Sequence, residues 1–427
     1  MFTRAGRFQL FVRLLATCAG LFSGGIRANP LESLWGVGAR AKALGGTGSV
    51  LAQDYSAVYA NPAGLSWCGG NRVTLGYHHL ASHLDVHTDQ KLKEEPLQFG
   101  RYDRLHVGLC FPLPLRLSLG VLFESGFLEP AQMRVQSQNP QPQFVLYGTL
   151  MKQPSILGGL SVRIIRGLSA GIGVGSTVSS RIDTNIVIKG LEMGVDVQGD
   201  LLPSLLWIAG VRYEPIEGWR LALIYRHPTF SRFTTNMKPE IILGSFSTGD
   251  MVRATSDIRL SYAPMQVAIG ALLSPLKVLR LALELTWMRW SDYQSPFPES
   301  KTSLEFIKDS FDVLPFRDTF VPRVGLEYTW RELLSFRGGY HYHQAIIPPP
   351  NADTGDTNVL DGNTHFFTFG GGYQLLRLKR AQIGLDVFGV VGTMSPAAVD
   401  KPGRAEPNRY DFGGIVWDTG ISVDVKY

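Results

Sequence analysis

The feature that most constrains this 427-residue chain is the rhythm of its connections. Segments alternating apolar and polar residues recur at 71–84, 104–112, 115–127, 153–165, 168–188, 202–214, 219–232, 256–273, 278–291, 319–331, 334–346, 363–376, 380–393 and 413–427. Every second connection is tight: Pro112-Leu-Pro114, Arg166-Gly167, Pro215 to Gly218, Ser274-Pro275-Leu276, Glu332-Leu333 and Leu376 to Lys379. The intervening ones are long: 85–103, 128–152, 233–255, 292–318, 347–362 and 394–412. Period-two alternation with one apolar face describes a half-buried strand. A soluble sandwich has no reason to alternate short and long connections. An outer-membrane barrel does, with turns at its periplasmic end and loops at the surface. The expected fold is all-β: a 14-stranded antiparallel transmembrane barrel in the outer membrane of a Gram-negative bacterium, an even count as single-chain bacterial barrels require.

Composition agrees. Charged residues make up 18% and apolar ones 44%, with mean hydropathy +0.04. The charged share is below the usual quarter of soluble domains, yet no apolar run beyond the N-terminus is long enough for a membrane helix. The last segment gives a length check. Trp417, Ile421, Val423, Val425 and Tyr427 share one face. Ten steps of about 3.3 Å, tilted by about 40–45°, set Trp417 and Tyr427 roughly 25 Å apart along the membrane normal, the height of an apolar band between two aromatic girdles. Trp219 and Trp330 beside tight turns, and Trp287 beside a long loop, fit the same girdles.

The N-terminus reads as a secretion signal over residues 1–28: Arg4, Arg7 and Arg13 precede the apolar run Leu14 to Phe22, and small residues follow to Ala28. Its removal takes away Arg4, Arg7, Arg13 and Arg27 and no acid, so the formal charge falls from +5 to +5 − 4 = +1. The basic pI therefore gives no support to nucleic-acid binding. Cys68 and Cys110 remain in a compartment that permits a disulfide; the two readings are that bridge and a pair of small buried thiols.

Between signal and first strand, residues 29–70 lack alternation and are rich in small residues: Ala41, Ala43, Gly45, Gly46, Gly48 and Ala52. This composition suits a compact plug inside the barrel formed by residues 71–427. Asn61-Pro62-Ala63-Gly64 can equally be an ordinary turn, with Pro62 fixing φ and Gly64 tolerating positive φ. Its place, after a Gly-rich segment and before the first strand, raises it above that. Leu44-Gly45-Gly46-Thr47-Gly48, then Asp54, then Asn61-Pro62-Ala63-Gly64-Leu65 resembles the N-terminal hatch of the FadL/TodX family, outer-membrane transporters of long-chain fatty acids and other hydrophobic compounds. Trp287-Met-Arg-Trp290-Ser291 and Phe336-Arg-Gly-Gly-Tyr340-His-Tyr342, leading to Ile346-Ile-Pro348, resemble its ninth and eleventh strands. Two departures stand out: the 128–152 loop is polar where better-known members carry an apolar capture groove, and the last residue is Tyr427 rather than Phe.

No catalytic constellation emerges. Gly36-Val-Gly38-Ala-Arg-Ala41 imitates a dinucleotide fingerprint but follows no strand. Gly171, Gly173 and Gly175 read as small lumen or kink positions rather than a phosphate loop. No particular Ser recommends an esterase triad, no cofactor is implied, and His78, His79, His83 and His87 span about 13 Å in an extended strand, too far to share a metal. His341 and His343, two residues apart on one face with Arg337, are candidates to hold a ligand carboxylate in the lumen. Arg116, Arg280 and Arg323 share that ambiguity, the other reading being lumen electrostatics balanced by Glu284, Glu327 and Asp386. The resemblance implies a monomer embedded in outer-membrane lipid that takes a hydrophobic small molecule from surface loops to a lumen pocket, moves its plug, and releases the ligand laterally where the third strand kinks. Gly120 and Gly126 are the kink candidates. The rival reading is a plugged barrel that scaffolds or shuttles proteins in surface protein secretion.

Overall fold

The computed structural model describes residues 36–88, 102–126, 144–145, 154–177, 180–188, 193–203, 205–243, 246–247, 254–293, 299–302, 316–347, 358–377, 381–400 and 409–427. The secretion signal lies outside these residues, as does the polar 128–152 loop apart from Phe144 and Val145, which pair with Asn358 and Val359.

Fourteen strands form one closed antiparallel barrel, each paired with its neighbour in chain order. They are β1 (Arg72–Thr88), β2 (Tyr102–Pro112), β3 (Leu117–Gly126), β4 (Ser155–Ile165), β5 (Leu168–Thr177), β6 (Leu206–Tyr213) and β7 (Trp219–Arg226). They continue with β8 (Met265–Leu276), β9 (Leu279–Arg289), β10 (Thr319–Trp330), β11 (Leu334–His343), β12 (Thr364–Arg377), β13 (Gln382–Asp400) and β14 (Arg409–Lys426). β14 closes on β1 in unbroken register from Arg72↔Lys426 to Thr88↔Tyr410.

The faces settle sandwich against membrane barrel. Leu119, Phe123, Leu221, Leu223, Leu283, Leu285, Phe367 and Phe369 are exposed, while their alternates Ser118, Leu122, Ala222, Ile224, Ala282, Glu284 and Thr368 are buried. The apolar side therefore points outward, as only a lipid solvent allows. No described helix is long and apolar enough to cross a membrane.

Two features depart from the expected strands. The tight β2–β3 and β10–β11 turns carry no glycine, so Leu115 and Arg116, then Arg331 and Glu332, take positive φ. The right-handed strand twist demands that sense in a two-residue hairpin. Second, the strands expected at 168–188, 202–214, 219–232 and 256–273 are each divided in two. Their outer parts, Ser180–Ile188, Met193–Pro203, Thr229–Leu243 and Ala254–Ala263, form a second sheet with Glu299–Thr302. Pro203, Pro228 and Pro264 stand at three of these divisions, where a residue without an N–H cannot continue a ladder.

Candidate functional site: the plugged lumen

Residues 36–71 fold as short helices α1 (Ala39–Ala43), α2 (Gly48–Leu51) and α3 (Ala57–Ala60), then a 3₁₀ turn over Pro62–Trp67. Nearly every residue from Val37 to Leu65 is buried. Their contacts run round the barrel, from Tyr55 against β2 and Val58 against β3 through Pro62 against β5 to Leu44 against β10 and Ala43 against β12. The plug thus fills the lumen, as its small-residue composition suggested.

Close approach is made possible from the wall. A Cβ on Gly171 would come within 2.5 Å of the Pro62 carbonyl carbon, and one on Gly173 within 2.8 Å of the Val58 oxygen. A Cβ on Gly325 would meet the Leu44 oxygen at 2.5 Å, and one on Gly339 the backbone of Leu44 and Gly45. Of the three glycines read from spacing, Gly171 and Gly173 let backbone touch backbone, whereas Gly175 faces Leu157 of the neighbouring strand. Gly120 also faces the plug. A Cβ there would strike Leu65 at 2.5 Å and Val58 at 2.7 Å, and β3 pairs without a register shift along both neighbours. Gly120, expected as a kink candidate, makes room for the plug at this point. Gly126 is the last residue of β3, opposite Arg104.

The Asn61 motif organises the second half of the plug. Buried Asn61 caps the 3₁₀ turn by accepting from the Ala63 amide (3.1 Å) and donates to the Ser49 (3.0 Å) and Val211 (3.3 Å) carbonyls. It thus ties α2, the turn and β6 together. Pro62 begins the turn and Ala63 is fully buried. Asp54 accepts from the Ser56 amide at 2.8 Å, starting α3. Gly64 does not take the positive φ expected of it; a Cβ there would collide with the Ala52 carbonyl.

Short helices leave carbonyls unpaired at their ends, and wall arginines supply them. Arg220 donates to Val50 O (2.9 Å), Arg212 approaches Ala52 O (3.5 Å), and Arg226 donates to the carbonyls of Tyr59 (3.2 Å) and Ala60 (3.0 Å). Arg163 and Arg212 also lie over the Trp67 ring at 4.5 and 4.6 Å. Sequence reasoning missed Arg212, Arg220 and Arg226. Strand parity was the available signal, since all three share the inward face with Ala222 and Ile224.

Two ion clusters pin α1. Arg40 makes a two-pronged contact with Glu327 (3.0 and 2.7 Å), which also binds Arg280 and Arg337, each at 2.9 Å. Burial alone would lower the Arg40 pKa, but the Glu327 carboxylate overrides it and the net direction is up. Arg337 pairs with Asp386 as well. On another wall, Lys42 reaches Asp418 at 2.8 Å and His78 at 3.3 Å; His78 bridges Asp418 (3.1 Å) and Glu124 (3.3 Å). Nearby, Tyr55 Oη lies 2.7 Å from His106 Nε2, and burial pushes the phenol pKa well up. The cleft beside Lys42, His106 and Glu124 measures about 10 Å³, room for about one water. The plug and wall pack closely at this point.

The candidate lumen cations divide accordingly. Arg280 and Arg337 are engaged with Glu327, and Arg323 lies 3.8 Å from Glu284. Arg337 is thus separate from the histidines. His341 is buried and stacked on Phe366 (4.6 Å), edge-on to His343 (5.2 Å). Arg116 is corrected outright: it sits in the exposed β2–β3 turn, because that hairpin turns two residues later than the alternation implied. Cys68 and Cys110 face each other with Cα atoms 6.5 Å apart, within the reach of a disulfide. Of the four early histidines, His78 points inward while His79 pairs with Asp103 (2.7 Å) on the outer face, and no described group of ligands could hold a metal.

On the extracellular side of the plug lies a buried apolar cluster: Tyr262, Met288, Trp290, Tyr293, Val321, Ile346 and Ile347, with Phe230 and Phe316 against it. Tyr262 and Tyr293 stack at 4.5 Å, and Trp290 is 6.0 Å from Tyr262. Parity again held the signal, since Trp290 falls on the lumen face and Trp287 on the lipid face.

Comparison with known proteins places this arrangement. Alkane uptake protein A of Marinobacter nauticus is 25% identical over 345 residues, covering 73% of this chain and 72% of that protein. A Pseudomonas aeruginosa FadL homologue of known structure superposes with TM-score 0.59 at 16% identity, covering 94% of this chain and 99% of that one. The CymD monoaromatic hydrocarbon channel gives 0.57 at 17% identity (92% and 98%), and the P. putida toluene transporter TodX 0.55 at 17% (92% and 99%). The family model for outer membrane protein transport proteins (OMPP1/FadL/TodX) matches residues 159–395. With more than half of its length so matched, the chain belongs to the OMPP1/FadL/TodX family of outer membrane transport proteins.

Proposed function

We propose that this protein carries hydrophobic small molecules passively through the outer membrane. The observation that carries the reading is the aromatic cluster around Trp290, buried in the lumen directly outside a plug held by ion pairs. Burial of apolar surface favours a ligand there by about 25 cal/mol per Å². Hydrocarbons are the class to test first, given the names of the similar proteins. A long-chain fatty acid is the second, since His341, His343 and Arg323 offer cationic or donor groups to a carboxylate.

The working division is a signal at 1–28, a plug at 29–70 and a barrel from 71 to 427, acting as a monomer in outer-membrane lipid. Transport then needs α1 to leave its two pins, and lateral release in the β3 region needs the β2–β3 or β3–β4 ladder to part. The test is accumulation of labelled hexadecane and of labelled oleate in liposomes with and without the protein. Faster uptake with protein, slowed severalfold by Trp290→Ala, supports the reading. Equal accumulation with and without protein refutes it.

A further inference from the structure

We infer that a neutral hydrocarbon enters the lumen sideways, through a break in the barrel wall between β7 and β8 at Pro228 and Pro264. This rests on the uptake reading above and assigns it a route.

The register carries the argument. β7 and β8 pair without a shift as far as Arg226↔Gln266, and pairing resumes with Thr229↔Ala263. Counting across the interval sets Pro228 opposite Pro264. The His227 amide donates to the Trp207 carbonyl at 3.0 Å, towards β6. Successive amides in a strand point to opposite sides, so position 228 is directed at β8. That position is proline, and so is the residue facing it. A rung that would hold two hydrogen bonds therefore holds none. One step further the register slips, between Thr229 and Ser231, which weakens the next rung as well. By contrast, β2 and β3 pair continuously from Arg104↔Gly126 to Pro112↔Ser118.

Both sides of the missing rung suit a hydrocarbon. Inside, Phe230 packs on the cluster of Tyr262, Trp290 and Tyr293. Outside, Trp207 and Tyr225 meet at 4.8 Å, and Trp207 stacks on His227 at 5.0 Å. Pro228 lies three residues beyond Tyr225, about 7 Å further out along the membrane normal, where the outer girdle meets the headgroups. Arg226, a buried cation two residues before Pro228, is already occupied by Gln266 (3.1 Å) and the plug carbonyls of Tyr59 and Ala60. Among the described residues, Arg226 therefore presents no unmet charge to an uncharged molecule. Such a molecule arrives on the outer side of the plug, against the aromatic cluster.

The test restores the donors with Pro228→Thr/Pro264→Thr, with Pro275→Thr at the periplasmic end of β8 as control and heat-modifiable gel migration as the check on folding. Initial uptake of labelled hexadecane into liposomes is expected to fall at least fivefold in the double variant and to stay within twofold in the control. Uptake unchanged in a folded double variant overturns the proposal. A second measurement needs no transport: a diazirine-bearing alkane, photolysed with the purified natural protein, should form adducts within 225–228 and 264–265, apart from the lumen cluster. Absence of adducts there overturns the entrance, whether or not the variant folds. Adducts without uptake above empty liposomes would retain the entrance and refute the uptake reading instead.

Discussion

Lys42→Met isolates what holds the plug shut. The Lys42 ammonium lies 2.8 Å from the Asp418 carboxylate, and both side chains are almost wholly buried. Removing one partner of a buried pair leaves an uncompensated charge, which costs about 3–5 kcal/mol. Here the low end applies, because His78 remains 3.1 Å from Asp418 and can carry part of the load. A loss of about 3 kcal/mol raises local opening of α1 roughly a hundredfold. Hydrogen exchange followed by mass spectrometry should show this as faster exchange over residues 39–51, with barrel strands unaffected, and planar bilayers should show a raised basal conductance. Lys42→Met/Asp418→Asn removes both charges and should recover most of the protection, leaving about 1 kcal/mol. Unchanged exchange in Lys42→Met would refute the claim that this pair holds the plug. An unrecovered double variant would show that packing, not charge, is what was lost.

Further outcomes follow from the same geometry. Arg40→Met should loosen the plug less than Lys42→Met, by about 1–2 kcal/mol, because Glu327 keeps Arg280 and Arg337; exchange over residues 39–51 compares the two directly. Gly339→Ala places a methyl against the Gly45 amide and should displace the plug, read as increased entrance of a large hydrophilic antibiotic into cells. Replacing Leu115-Arg116 by Asn-Gly relieves two strained positive φ values and should stabilise the barrel by about 1–2 kcal/mol, measured by urea unfolding in detergent micelles. Bridging Cys68 and Cys110, 42 residues apart, should stabilise by about 4 kcal/mol; intact mass before and after alkylation under non-reducing conditions shows whether the bond forms.

Much of the fold was legible because a barrel's constraints are local. Alternation at Leu279 to Leu285, tight turns such as Arg166-Gly167 and the girdle tryptophans are each visible within a few residues. They led to an outer-membrane transport barrel rather than an enzyme, and the family match agrees. The site was legible only in part. The Asn61 motif pointed to the plug, but the pairing of Arg40 with Glu327 joins residues 287 positions apart, and no spacing rule reaches that far. Arg116 was misplaced because a hairpin can turn one residue pair later without disturbing the alternation on either side. That Gly120 makes room for the plug was not legible, because a strand glycine has two uses, bending and making room, which differ only in what lies beside it.

The chain alone determined which face of each strand is apolar, the strand number and the end at which the loops lie, since these follow from period and connection length. Tertiary structure decided what the inward face does: which arginines cap plug helices, which carboxylates pin α1, and where opposed prolines leave a rung empty. Those depend on register between strands far apart in sequence, and register is set by the closure of the whole cylinder.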